Sequence, residues 1–142
     1  MPTPCIRPAT DDDLAALERI YQQVRREIGS ATGAGFVADT LGEQVLVAEA
    51  DGLPVGFVAL YAPDAFVHHL YVAADWRGRG LGAALLTAAT AALGPRAWLK
   101  VDAPNAAARA FYRRLGWREE PALEGVVVVR APPAELDPRA PA

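Results

Sequence analysis

The spacing of apolar positions changes several times along the chain, and each change marks an element. Leu14, Leu17, Tyr21, Val24 and Ile28 recur three or four residues apart, which lays one apolar stripe along a helix. Thr10 precedes the stripe as a cap, Asp11, Asp12 and Asp13 sit at the positive end of the helix, and Gly29 stops it. Ahead of it, "CIRPA" reads as a short strand. The runs "QVLVAEA", "VGFVALY" and "AFVHHLYV", parted by turns at "DGLP" and Pro63-Asp64, predict three consecutive strands, the first two as a hairpin. Helical spacing returns with Leu81, Leu85 and Leu86 and ends at Gly94-Pro95. "AWLKVD" is again a strand. Asn105 then caps a helix with Ala108, Phe111, Tyr112 and Leu115 on one side and Gly116 as its stop, and "GVVVVRA" is the last strand. "GSATGAG" reads as the most flexible interior stretch, and "FVADTLG" as a short helix or a turn.

A meander in front and a strand-helix-strand-helix unit behind make the class α+β or mixed α/β. The 142 residues suit one domain, expected over 1–131, with a proline-rich flexible tail over 132–142. The one cysteine, Cys5, cannot form an intrachain disulfide, the N-terminus lacks a secretory profile, and apolar runs are too broken to span a bilayer. These features predict a cytosolic protein that engages no membrane. A net charge of -3 argues against a nucleic-acid partner.

Against that acidic background, "DWRGRGLGAALL" places three glycines and two arginines between a strand and a helix. Bare glycine backbone at the start of a helix offers convergent N–H groups and a positive dipole end, which suits a phosphate. The backbone of Gly78, Arg79, Gly80, Leu81 and Gly82 is therefore a candidate pyrophosphate cradle, and Arg77 and Arg79 either add contacts to phosphate oxygens or are solvated. The same residues also satisfy G-x-G-x-x-A, with Asp102 at a tolerable distance beyond, so a dinucleotide-binding unit is a second reading. Three strands ahead of the turn and little chain behind it weigh against that alternative.

Two ordered motifs, Arg77-Gly78-Arg79-Gly80-Leu81-Gly82 after "LYV" and then "NAAARAFYRRLGW", resemble those of the GCN5-related N-acetyltransferase superfamily. The resemblance covers most of the chain. It implies a single domain with a central, mostly antiparallel sheet, a splayed parallel pair of strands and about four flanking helices. It implies a transferase that moves acetyl from acetyl-CoA, its cosubstrate, directly to a primary amine, with no metal. Leu70 and Val72 would pair with the pantetheine arm, and Asn105, which opens the second motif, joins the cofactor-binding set. Tyr112 matches the tyrosine that assists departure of the CoA thiolate. A non-catalytic module that binds CoA or acetyl-CoA has nearly the same sequence and is the alternative.

An amine with a pKa near ~10.4 must lose a proton before it attacks a thioester. Strict alternation puts His68 on one face with Phe66, Leu70 and Val72, and His69 on the other with Val67 and Tyr71. The serotonin N-acetyltransferase branch has a proton-accepting histidine two residues before the matching leucine, which favours His68 as the base, directly or through water; a structural histidine is the other reading. Lys100 stands where the ribosomal-protein N-terminal acetyltransferases have a glutamate, a departure that argues against that acceptor. Glu43 and Glu49 are other acids in reach of the question, but no spacing singles them out. Residues 29–44 should border the acceptor cleft by family analogy, where Asp39 and Glu43 either attract a cationic amine or are solvated loop acids. The acceptor is an amine-bearing small molecule or a peptide, and a homodimer is compatible with the resemblance.

Overall fold

A computed structural model describes residues 4–29, 33–121 and 124–133. The flexible stretch expected at residues 29–35 therefore lies partly, and the tail expected over 132–142 mostly, outside the described residues. Strand β1 (Cys5–Pro8) leads through a 3-10 turn (Asp11–Asp13) into α1 (Leu14–Glu27), and a short α2 (Phe36–Asp39) precedes β2 (Gln44–Ala50), β3 (Leu53–Tyr61) and β4 (Phe66–Val72). Then come α3 (Leu81–Leu93), β5 (Trp98–Asp102), α4 (Ala106–Arg114), β6 (Arg118–Pro121) and β7 (Val126–Arg130). The strands form one sheet in the order β1-β2-β3-β4-β5-β7-β6. Every neighbouring pair is antiparallel except β4 and β5, which are parallel. That parallel pair meets only at Phe66 and Trp98, although β4 runs on to Val72 and β5 to Asp102, so the two strands part. This is the expected mixed fold with a splayed parallel pair and four helices.

Each face of the sheet buries its own core. On one side Leu81, Leu85, Leu86 and Ala89 of α3 pack on Leu46, Val58, Leu60, Val67, Leu99 and Val129. On the other, Leu17, Ile20, Tyr21 and Val24 of α1 pack with Phe36 on Val47, Phe57 and Ala59. The ends of the stripe read from the sequence do not join these cores: Leu14 and Ile28 are exposed at the termini of α1, as is Leu115 at the end of α4, and Ile20 takes the central place instead. Asp13 is not a solvated end charge either. It is buried, accepts the Thr10 N–H at 2.7 Å, and takes two hydrogen bonds from Arg7 at 2.7 and 2.9 Å.

Strand β6 has no hydrophobic signature. Its sequence is "REEP", and charge and proline are what an edge strand carries to discourage further pairing. Pairing with β7 and the grip of Arg109 on Glu119 at 2.7 Å hold it in place.

Candidate active site

The parting of β4 and β5 opens a cavity of about 590 Å³, walled by Leu70 and Val72, by the glycine turn, and by Asn105, Phe111 and Tyr112 of the α4 segment. Gly78 and Gly80 lie at φ +78° and +82°, a left-handed conformation that glycine adopts without strain, and a side chain added at either would meet only open space. Gly80 caps α3, whose first internal bond runs from the Ala84 N–H to the Gly80 carbonyl at 3.1 Å. The amides of residues 81–83 precede that bond and remain without partners inside the helix, which is the donor set an anion uses. Leu81 contributes backbone only, because its side chain is buried in the core. Gly82 has a different reason to be glycine: a methyl there would approach Cζ of Phe111 to 3.2 Å, so its bareness lets α3 and α4 close on each other.

The two arginines of the turn are engaged within the chain. Arg77 donates to both carboxylate oxygens of Glu27 at 2.6 and 2.9 Å and, through Nε, to the Val72 carbonyl at 3.0 Å. Arg77, open in the sequence between a phosphate contact and a solvated side chain, is thus paired with the end of α1. Arg79 lies over the Trp76 ring at 4.6 Å and donates to the Asp75 carbonyl at 3.3 Å. Asn105 caps α4, accepting the Ala108 N–H at 3.1 Å, and so sets the helix phase that turns Phe111 and Tyr112 toward the cavity. Burial, then the neighbouring Tyr71, pushes the Tyr112 phenol up to about 12.

The histidines do not alternate. Pairing between β3 and β4 passes from Ala59–His69 to Leu60–Val67, which leaves His68 as the extra residue of a β-bulge. Val67, Leu70 and Val72 consequently face the α3 core, whereas His68 and His69 share the α1 side with their rings stacked 3.9 Å apart. The expectation that His68 shares a face with Leu70 and Val72 is corrected by that one residue. His69 is buried against Tyr21 and Tyr71. Burial first, then His68 and Arg25, lowers its imidazole to about 4, so it stays neutral near pH 7. His68 is exposed at 39% of its side chain and places Nδ1 at 2.7 Å from Oε2 of Glu43, whose side chain is only 8% exposed.

A smaller cavity of about 290 Å³ is lined by Tyr21, Arg25, Gly33, Asp39, His68 and His69. The Tyr21 hydroxyl donates to Asp39 in a short hydrogen bond, which holds the carboxyl below its usual range, while burial followed by that bond raises the phenol. The structure places Asp39 and His68 in one cavity with Tyr21 and Arg25, two residues that the pattern hid: Tyr21 belongs to an apolar stripe, and Arg25 is one helix cation among several. Lys100 stands apart, with Nζ 5.8 Å from the centres of both Phe66 and Trp98. The dinucleotide alternative fails on topology, since β7 inserts antiparallel beside β5 where that fold continues in parallel. Among the described residues no group of three or more His, Cys, Asp or Glu side chains is placed to hold a metal ion, and no helix is long and apolar enough to cross a membrane.

The profile of the family described as "Acetyltransferase (GNAT) domain" matches residues 41–119, more than half of the chain. The chain belongs to the GNAT acetyltransferases. This GNAT domain is 35% identical over 94 residues to an N-acetyltransferase of Methanocaldococcus jannaschii described as uncharacterized; the match takes in 56% of this chain but only 41% of that relative. Among solved structures it superimposes on the PaiA N-acetyltransferase of Thermoplasma acidophilum in complex with coenzyme A, with a TM-score of 0.73 at 17% identity, covering 92% of this chain and 99% of that one. The acetyltransferase YncA of Salmonella typhimurium, described as putative and solved with acetyl-CoA, gives a TM-score of 0.66 at 21% identity, covering 90% and 91%. At such identities the structural likeness carries the GNAT fold, and the chemistry of this chain has to be argued from its own residues.

Proposed function

We propose that this GNAT domain is an acetyl-CoA-dependent N-acetyltransferase that passes the acetyl group directly to a primary amine. The observation that carries the reading is the cleft between the parted strands, with unobstructed glycine amides at one end and the Tyr112 phenol in its wall. The relatives solved with CoA and acetyl-CoA support the choice of cosubstrate. When bound, acetyl-CoA supplies an activated thioester. The residues of this chain orient it, with the amides of the turn toward the pyrophosphate and the backbone of Leu70 and Val72 along the pantetheine arm.

The acceptor enters from the opposite face of β4, where Asp39 attracts a cation. His68, on the exposed side of the stacked pair, takes the proton that the ammonium must shed, and the free amine then attacks the thioester. The carbon–nitrogen bond forms, the carbon–sulfur bond breaks, and its electron pair leaves with sulfur. Tyr112 donates a hydrogen bond to that sulfur. Full transfer from a phenol near 12 to a thiolate whose acid is near ~8.5 is uphill by roughly 5 kcal/mol, so donation rather than proton transfer is its task. The nitrogen sheds a second proton as the amide forms, the departing thiolate takes up one proton from solvent, and the net reaction releases one proton.

Calorimetric titration with acetyl-CoA, CoA and NAD tests the binding, and a panel of amines with detection of released thiol tests the chemistry. Acetyl-CoA and CoA should bind, NAD far more weakly, and one amine class should release thiol. Preference for NAD overturns the reading, and tight CoA binding without turnover on any amine assigns a non-catalytic CoA-binding module instead.

A further inference from the structure

We propose that Glu43 is a positioning residue that holds His68 as its Nδ1–H tautomer, leaving Nε2 as the nitrogen that takes the acceptor's proton. The inference deepens the transferase reading and rests on it for its kinetic part. Its observation is the 2.7 Å contact between His68 Nδ1 and Glu43 Oε2, made across the turn between α2 and β2 to a residue 25 positions away. A carboxylate only accepts hydrogen bonds, so the hydrogen of this contact belongs to the imidazole, and Nε2 of the neutral ring keeps its lone pair. The contact is short, as expected where the acceptor carries charge.

Burial makes the pair specific. The other oxygen of Glu43, Oε1, is buried with no partner, so among the described residues His68 is the one hydrogen-bond partner of a carboxylate nearly withdrawn from water. An imidazolium compensates that charge better than an imidazole does. The proton that Nε2 takes from the acceptor ammonium is thus accepted on a ring held by a carboxylate, and it later leaves to solvent. The turn that delivers Glu43 is built for it: Gly42 adopts φ +80°, and the Glu43 N–H bonds back to the Thr40 carbonyl at 3.0 Å. The bulge completes the arrangement, because a regular strand would send His68 to the α3 face, away from Glu43. The charged and titratable groups around His68 are Glu43 before β2, His69 on β4, Tyr21 and Arg25 on α1, Asp39 on α2, and Lys100 on β5, which reaches over Phe66 beside it.

The test combines a spectrum with kinetics. Nitrogen-15 NMR of the histidine rings in the unmodified protein should show His68 with a protonated Nδ1 and a bare Nε2; the opposite tautomer overturns the inference whatever the activity. In the kinetics, Glu43→Gln should lower kcat/KM for the amine roughly tenfold, because a ring without its carboxylate partner is no longer held in one tautomer and orientation. Acetyl-CoA affinity should stay unchanged. Glu43→Gln combined with His68→Gln should be no slower than His68→Gln alone, since Glu43 acts through that ring. An unchanged kcat/KM in Glu43→Gln, or a double variant slower by the product of the single effects, overturns it. Absence of any acetylated amine despite acetyl-CoA binding removes the transferase reading and the role of Nε2 with it, while the spectrum still decides the contact with Glu43.

Discussion

His68 and His69 are chemically identical neighbours, and the environment alone separates them. His69 is held neutral in the fold, with Nε2 buried and without a partner. Its folded pKa of about 4 lies below the usual 6.5, so the unfolded chain binds a proton first as pH falls. The stability it permits is complete above pH 6.5 and drains away toward pH 4, by up to ~3 kcal/mol. Denaturant titrations at a series of pH values should show that loss, and His69→Phe should abolish it while keeping the fold. Asp13, lowered to about 2 by its hydrogen bonds from Arg7 against a usual 3.8, acts in a separate window: its contribution is present above pH 3.8, is lost as pH falls toward 2, and amounts to about 2 kcal/mol. Arg7→Met should remove that second slope only. Tyr112→Phe keeps the ring and deletes the donor, so turnover should fall on the order of 10²-fold with acetyl-CoA affinity nearly unchanged; unchanged turnover in an assay limited by chemistry would make Tyr112 a packing residue. Of these residues, Tyr112 and the histidine pair stood out in the sequence by motif and by rarity. Glu43 did not, because a contact across 25 positions leaves no trace in local spacing.

The strands and helices with strong periodicity were legible to within a residue or two: "QVLVAEA" is β2 and "AWLKVD" contains β5. What escaped were features set by a partner. The bulge in "FVHHLYV" is invisible in its own composition, since an extra residue exists only relative to the register of β3. Strand β6 escaped because its charges face solvent on an edge and its cohesion comes from β7 and Arg109. The glycine turn was read correctly as bare backbone, yet its glycines divide in purpose. Gly80→Asp should weaken CoA binding at least a hundredfold by charge repulsion at the phosphate cradle, whereas Gly80→Asn carries the same left-handed strain, on the order of 1 kcal/mol, and should bind far better. Equal losses by calorimetry would assign the effect to strain. Gly82→Ala should cost about 1 kcal/mol of stability through the Phe111 contact, read as a lowered melting temperature, with CoA affinity little altered.

At the scale of the molecule, the mixed class followed from the mixture of periods and the splayed parallel pair from the resemblance, while the strand order came only with the structure, because spacing does not say which strands pair. The core beneath α3 draws residues from both sides of the split, with Val58 and Val67 from one half and Leu99, Val101 and Val129 from the other. A ligand in the split should therefore stabilise the whole domain cooperatively: acetyl-CoA at a hundred times its dissociation constant is expected to add ~2.7 kcal/mol to unfolding, seen as a raised melting temperature in a single transition. A biphasic melt in which only one half is protected would contradict a shared core.

An ordinary open sheet has two borders, whereas one joined internally at a single rung has four. Here the two additional borders are β4 and β5 beyond Phe66 and Trp98, and unpaired strand borders are where foreign strands add on. These inner borders line the cavity between α3 and α4, where Phe111 leaves little room for a side chain at Gly82. Lining a cavity rather than the rim of the sheet, they are withdrawn from the surface where another chain could add a strand. The domain thus keeps strand borders in its interior without offering them to aggregation.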